Sequence, residues 1–155
     1  MRVTVAAVGR LGRAPEAELA RDWCARATAP GRVLGLGPFE IAEVEARKPG
    51  KAAEAEALRA AVGEAALVIA CDERGRAYGS RDFAAKLAGW RDAGERRAVF
   101  LIGGADGLDP ALRDAARDRL AFGPQTWPHA LVRAMLCEQL YRAVTLLAGS
   151  PYHRD

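Results

Sequence analysis

Two histidines occur in the 155 residues, His129 and His153, and the polar residues around them are dense. Thr126-Trp127-Pro128-His129 opens a final apolar-periodic segment, Arg133, Glu138, Gln139, Tyr141 and Arg142 lie along it, and Pro151-Tyr152-His153-Arg154 follows. Imidazole titrates near neutral pH, so His153 can move a proton, and Arg142 can meet an anion. A helix starting at His129 would offer unpaired N–H groups and a positive dipole end. Taken singly, these residues also have structural readings: His129 as a helix cap, and Arg133 with Glu138 as an ion pair.

Two glycine turns are the other candidates. Ile102-Gly103-Gly104-Ala105-Asp106-Gly107 follows an apolar run, and its glycines would let the backbone approach a ligand without Cβ obstruction. The pattern is neither G-x-G-x-x-G nor a P-loop, so a tight strand-to-helix turn is the alternative reading. Cys71-Asp72-Glu73-Arg74-Gly75 leaves a second apolar run; Glu73 reads there as solvated loop charge. Cys24, Cys71 and Cys137 are odd in number and lack metal-ligand spacing, so neither a disulfide framework nor a metal site is expected, and each reads as a small buried residue.

These turns need strands and helices to hold them. Arg2–Val8 is a β-branched apolar run stopped by Gly9, and a helix follows from Pro15 with Leu19, Trp23 and Ala27 at helical spacing and Gly31 beyond its end. Phe39–Val44 reads as a weaker strand, and an alanine-rich helix bearing Leu58 and Val62 comes after the break at residues 47–51. Strands are then expected at residues 65–70, 98–102 and 119–122, and helices at residues 80–90 and 110–117, with Ser80 and Asp109 as N-caps. The last helix carries Leu131, Met135, Leu136, Leu140, Val144 and Leu147 on one face. Alternating strands and helices imply a mostly parallel sheet covered on both faces, with ligands beyond the carboxyl ends of its strands.

The length suits one domain spanning residues 1–155, and 50% hydrophobic with 28% charged residues is ordinary globular composition. The apolar runs are strand-length, which excludes a membrane span, and the interrupted N-terminal stretch points to a cytoplasmic protein. Twenty-three basic against 20 acidic residues leave a net charge of +3, which does not mark a nucleic-acid binder by itself. Arg10 with Arg13, and Arg47, Lys48 and Lys51, are local basic clusters that either meet phosphates or are solvated surface.

Phe100-Leu-Ile-Gly-Gly-Ala-Asp-Gly-Leu108, Thr126-Trp-Pro-His129, Arg133, the run from Glu138 to Ala143 and Pro151-Tyr-His-Arg154 stand in order, together with the run from Val5 to Arg10. In these the sequence resembles, over its whole length, the RlmH family of SPOUT-superfamily methyltransferases. The resemblance implies a SPOUT-type α/β knot, a mostly parallel sheet with helices on both faces and a C-terminal trefoil knot, although topology alone argues against knots. It implies S-adenosyl-L-methionine as cofactor, no metal, a homodimer, and N3 of pseudouridine 1915 in 23S rRNA of the assembled ribosome as acceptor. The cofactor pocket it implies is made of Cys71, Gly103, Phe122, Gly123, Pro124, Gln125, Thr126 and Trp127. Cys71 and Ala121 stand where Leu and Ser are usual in the family, and Gly123-Pro124 also departs from its pattern.

The chemistry so implied is displacement of a sulfonium-bound methyl by a deprotonated ring nitrogen, a matter of positioning and charge handling. His153 is the candidate base, Arg142 the candidate stabiliser or phosphate clamp, and Tyr152 the residue to stack on or orient the base, with His129 and Arg133 as second choices. Ribose 2′-oxygen methylation, or a noncatalytic ribosome-binding module on the same fold, are the alternatives.

Overall fold

The computed structural model describes residues 1–64 and 66–154. Five strands and five helices follow one another as β1 (Arg2–Val8), α1 (Pro15–Val33), β2 (Phe39–Val44), α2 (Lys51–Val62), β3 (Leu67–Ala77), α3 (Ser80–Asp92), β4 (Arg97–Ile102), α4 (Pro110–Asp114), β5 (Asp118–Ala121) and α5 (His129–Leu147). The strands form one sheet in the order β2-β1-β4-β3-β5, parallel at every pairing. All five therefore end at the same edge, which gathers the loops after β3, β4 and β5.

Burial explains why the apolar runs became strands. Beyond their first residues β1 and β4 are buried throughout, as a sheet covered on both faces requires. Side chains alternate between the faces. Val3, Val5, Ile69, Phe100 and Ile102 pack with Ala20, Cys24 and Ala27 of α1, Phe83 and Leu87 of α3, and Leu136, Leu140 and Val144 of α5. Ala6, Val8, Ala70, Val99 and Leu101 pack with Ala55, Leu58 and Val62 of α2 and Leu112 of α4. Each large apolar side chain so buried contributes about 1.5–3 kcal/mol. The strand order and the return of α5 across the α1 and α3 face agree with an α/β knot.

Several local expectations are corrected. Gly31 lies inside α1, where a Cβ would come 2.7 Å from the Phe39 ring and 2.8 Å from the Leu36 carbonyl oxygen, so the helix runs on past it in close contact with the chain that follows. Leu19 is 48% exposed because the buried stripe is carried by smaller residues, Ala17, Ala20, Cys24 and Ala27. The strand expected at residues 65–70 begins at Leu67 and continues to Ala77; Ala65 lies outside the described residues. It survives the charged turn because residues 72–75 bulge out and pairing with β5 resumes at Arg76. Gly75 permits this, since a Cβ there would meet the Arg119 and Leu120 backbone at 2.8 Å.

Helix ends also differ. Asp109 caps α4 through Leu112 N–H at 3.1 Å as expected, but α4 stops at Asp114. Gly79 caps α3, leaving the Ser80 hydroxyl to donate to Gln139 Oε1 at 2.9 Å. Pro128 rather than His129 occupies the N-cap of α5. On α5, Leu131 is 37% exposed and Arg133 is buried instead.

Candidate methyl-transfer site

A crevice of about 810 Å³ opens at the carboxyl edge, large enough for a nucleoside-sized ligand. The bulged middle of β3 contributes Cys71, Asp72 and Glu73, the glycine turn after β4 contributes Gly103 and Gly104, and the loop after β5 contributes Phe122, Gly123, Gln125, Thr126 and Trp127. Seven of the eight residues named for a cofactor pocket thus line one space; Pro124 belongs to the same loop but is exposed beside it.

The turns are locked by their own contacts. Gly107 N–H donates to the Gly104 carbonyl at 3.0 Å, and a Cβ on Gly103 would fall 2.5 Å from the Gly107 carbonyl carbon. Only glycine fits there. Trp127 Nε1 donates to the Phe122 carbonyl at 3.0 Å, closing the loop on itself. Thr126 Oγ1 donates to Glu73 Oε2 at 3.2 Å, so Glu73, expected to be solvated loop charge, ties two walls together. Burial, with Asp72 adding to it, pushes the Cys71 thiol up to about 12, so it is neutral at physiological pH.

The C-terminal residues form a second group centred on a carboxylate. Glu138 Oε1 accepts from Arg142 Nε at 3.0 Å, from Arg142 Nη2, and from the Tyr152 hydroxyl at 2.9 Å, while Oε2 accepts from Gln139 Nε2 at 2.8 Å. The Tyr152 ring lies under the Arg142 guanidinium at 4.8 Å and edge-on to Tyr141 at 4.8 Å. Hydrogen bonding to Glu138 raises the Arg142 pKa, and burial followed by Glu138 raises that of Tyr152. Arg142 Nη1 lies 3.2 Å from His153 Nδ1. Guanidinium only donates, so in this contact Nδ1 is the acceptor. The sequence reading paired Glu138 with Arg133; its i, i+4 spacing to Arg142 was the signal for the pair the structure shows.

Arg133 belongs to neither group. Its side chain is 1% exposed, with Nη1 on Glu43 Oε1 at 2.6 Å and Nη2 on the Val8 and Gly9 carbonyls, both at 3.1 Å. Its expected partner, Glu138, is taken by Arg142. Five residues separate Arg133 from Glu138, a spacing that turns them to different faces of the helix. His129 lines the crevice at the first turn of α5. Beside the crevice, and sharing Leu120, Ala121, Phe122 and Gly123 with it, a second cavity of about 400 Å³ is walled by Tyr78, Ser80, Phe83, Met135, Glu138 and Gln139. Glu138 thus connects the tail cluster to a space that abuts the crevice.

Among the described residues no helix is long and apolar enough to cross a membrane. The family model described as "Predicted SPOUT methyltransferase" matches residues 1–153. A protein of Phenylobacterium zucineum named Ribosomal RNA large subunit methyltransferase H is 67% identical over 155 residues, covering 100% of both chains. One of the same name from Caulobacter vibrioides is 65% identical, covering 100% of this chain and 99% of its own. Among solved structures, a probable methylase family protein from Haemophilus influenzae Rd KW20 superposes with a TM-score of 0.57 at 15% identity, over 99% of this chain and 70% of that one. A probable methyltransferase from Bordetella pertussis Tohama I gives 0.55 at 17%, over 92% and 96%. These two share the fold.

Proposed function

The chain belongs to the SPOUT methyltransferase family, and from that premise we propose that it transfers a methyl group from S-adenosyl-L-methionine to N3 of pseudouridine 1915 in 23S rRNA. The observation that carries the reading is the single crevice that three strand-end turns build around Cys71, Gly103 and residues 122–127. The named substrate of the 67% identical relative, large-subunit ribosomal RNA, supports the acceptor. The site fits the cofactor: Gly103 lets the turn after β4 close tightly on Gly107 at the crevice wall, and the protonated Cys71 thiol does not compete as a nucleophile for an electrophilic methyl.

When bound, the cofactor supplies a methyl on a sulfonium, whose thioether is already a good leaving group. The protein's part is to orient the acceptor and manage its charge. The N3–H of the acceptor is an imide proton. His153 Nδ1 takes it once Arg142 turns from the imidazole to the substrate, and Arg142 then faces the anion that deprotonation leaves. Cys71, Gly103 and residues 122–127 would hold the donor, which would supply its methyl to the deprotonated N3 and leave as the thioether. Tyr152, held by Glu138, lies against the Arg142 guanidinium and orients the base.

A net charge of +3 gives weak purchase on naked RNA. The reading therefore includes a cytoplasmic homodimer acting on the assembled ribosome, whose folded surface supplies the selectivity. Methylation should be faster on 70S ribosomes than on extracted rRNA; equal rates would contradict this part. The test of the whole is methylation of ribosomes lacking the modification, followed by nucleoside mapping by mass spectrometry. N3-methylpseudouridine is expected; a ribose 2′-O-methyl, or no transfer despite ribosome binding, would overturn the reading.

A further inference from the structure

Ser80 and Gln139 touch across the second cavity, and the transfer chemistry described above uses neither. The cavity's volume, about 400 Å³, is within the range of small-molecule sites, roughly 300–1,000 Å³. Phe83, Met135 and Tyr78 make much of its wall apolar or aromatic, so its few polar groups set what it accepts. The orientation of the Gln139 amide is fixed from both ends. The Ser80 hydroxyl donates to Oε1 at 2.9 Å, and Nε2 donates to Glu138 Oε2 at 2.8 Å, a carboxylate oxygen that only accepts. One lone pair on Oε1 and one N–H on Nε2 remain, an acceptor beside a donor.

That pair complements a ring edge on which an N–H stands beside a carbonyl. Uridine offers such an edge only through N3–H, the atom that must react, because its N1 carries the ribose. In pseudouridine the ribose is on C5, so N1–H lies beside C2=O, and N3 is the next ring atom past C2. A base held by its N1–H and C2=O edge therefore keeps N3 close by and free. Gly123, whose φ of 97° suits glycine, lines both the second cavity and the crevice, so the two spaces meet at this residue.

We infer that the second cavity takes the acceptor base and that Gln139 selects pseudouridine over uridine, its Oε1 accepting from N1–H and its Nε2 donating to C2=O while Ser80 and Glu138 hold the amide. The inference rests on the proposed acceptor. It is tested by comparing kcat/KM on ribosomes carrying pseudouridine or uridine at the target position, with affinity for S-adenosyl-L-methionine measured in parallel by calorimetry. The protein should prefer pseudouridine. Gln139→Met should cut that preference by about tenfold, slowing the pseudouridine reaction toward the uridine rate with cofactor affinity unchanged. Ser80→Ala, which frees one end of the amide, should cut it by about threefold and carries the test if Gln139→Met fails to fold. Equal loss on both ribosomes, or no preference in the unaltered protein, would overturn the assignment of Gln139. Failure of the unaltered protein to methylate either ribosome would instead overturn the reading of the site on which it stands.

Discussion

Arg133 and Arg142 lie on the same helix, and each is bound to a glutamate, yet they do opposite things. Arg133 is 1% exposed and reaches Glu43 and two main-chain carbonyls at the end of β1, whereas Arg142 keeps 23% of its side chain exposed and takes its partner from one turn back on α5. The distant, desolvated pair locks α5 to the sheet edge; Glu43 also accepts the Leu11 N–H at 3.1 Å, which ties in the loop after β1. The local, partly wet pair holds a cation ready and leaves one of its donors facing His153. Residue type is the same in both. The origin of the partner and the access of water decide which arginine is locked into the fold and which keeps a donor toward solvent and His153.

The comparison breaks most visibly at Arg133. Arg133→Met should lose about 3 kcal/mol of stability in urea unfolding, since it leaves Glu43 and two carbonyls without their donor. A loss below about 1 kcal/mol would put Arg133 in the same class as a surface pair. Arg142→Ala should do the reverse, lowering single-turnover methylation at least about tenfold, roughly 1.4 kcal/mol of transition-state stabilisation, with stability moved by less than about 1 kcal/mol. Unchanged turnover at saturating cofactor would remove Arg142 from the mechanism.

A buried polar group without a counter-ion sharpens the contrast by a smaller effect. Burial lowers the Arg133 pKa while Glu43 opposes the shift, so charge is kept. At Cys71 burial and the like-signed Asp72 push the same way, and its proton is retained up to about 12 against an ordinary value of 9.0. Below pH 9 folded and unfolded chains both hold that proton, and Cys71 makes stability flat with pH. Above it the unfolded chain releases the proton first, so stability falls as pH climbs toward 12. Alkylation of Cys71 at pH 9, followed by peptide mass mapping, should be at least about tenfold slower in the folded protein than in urea. Equal rates would show an ionised thiol beside the proposed donor site.

Much of this was legible because it is local. Strand-length apolar runs ending in glycine or charge mark β1, β3 and β4, and parallel pairing then points to one edge of the sheet, while the particular crevice residues were named from the resemblance to the RlmH family. What was hidden depends on partners far apart in sequence. Glu43 meets Arg133 across 90 residues and Ser80 meets Gln139 across 59, with no spacing to announce either. The bulge at residues 72–75 concealed half of β3, because a charged turn reads as a strand end until another strand resumes pairing beyond it. The Glu138 and Arg142 pair was readable at its i, i+4 spacing, whereas the expected partner, Arg133, stands five positions away and faces another side of the helix.

Crystals soaked with S-adenosyl-L-methionine test the central claim most directly. Difference density should fill the crevice with the donor against Gly103 and the main chain of residues 122–127. A donor found in another part of the molecule, or an empty crevice at concentrations that saturate the protein in solution, would contradict the account.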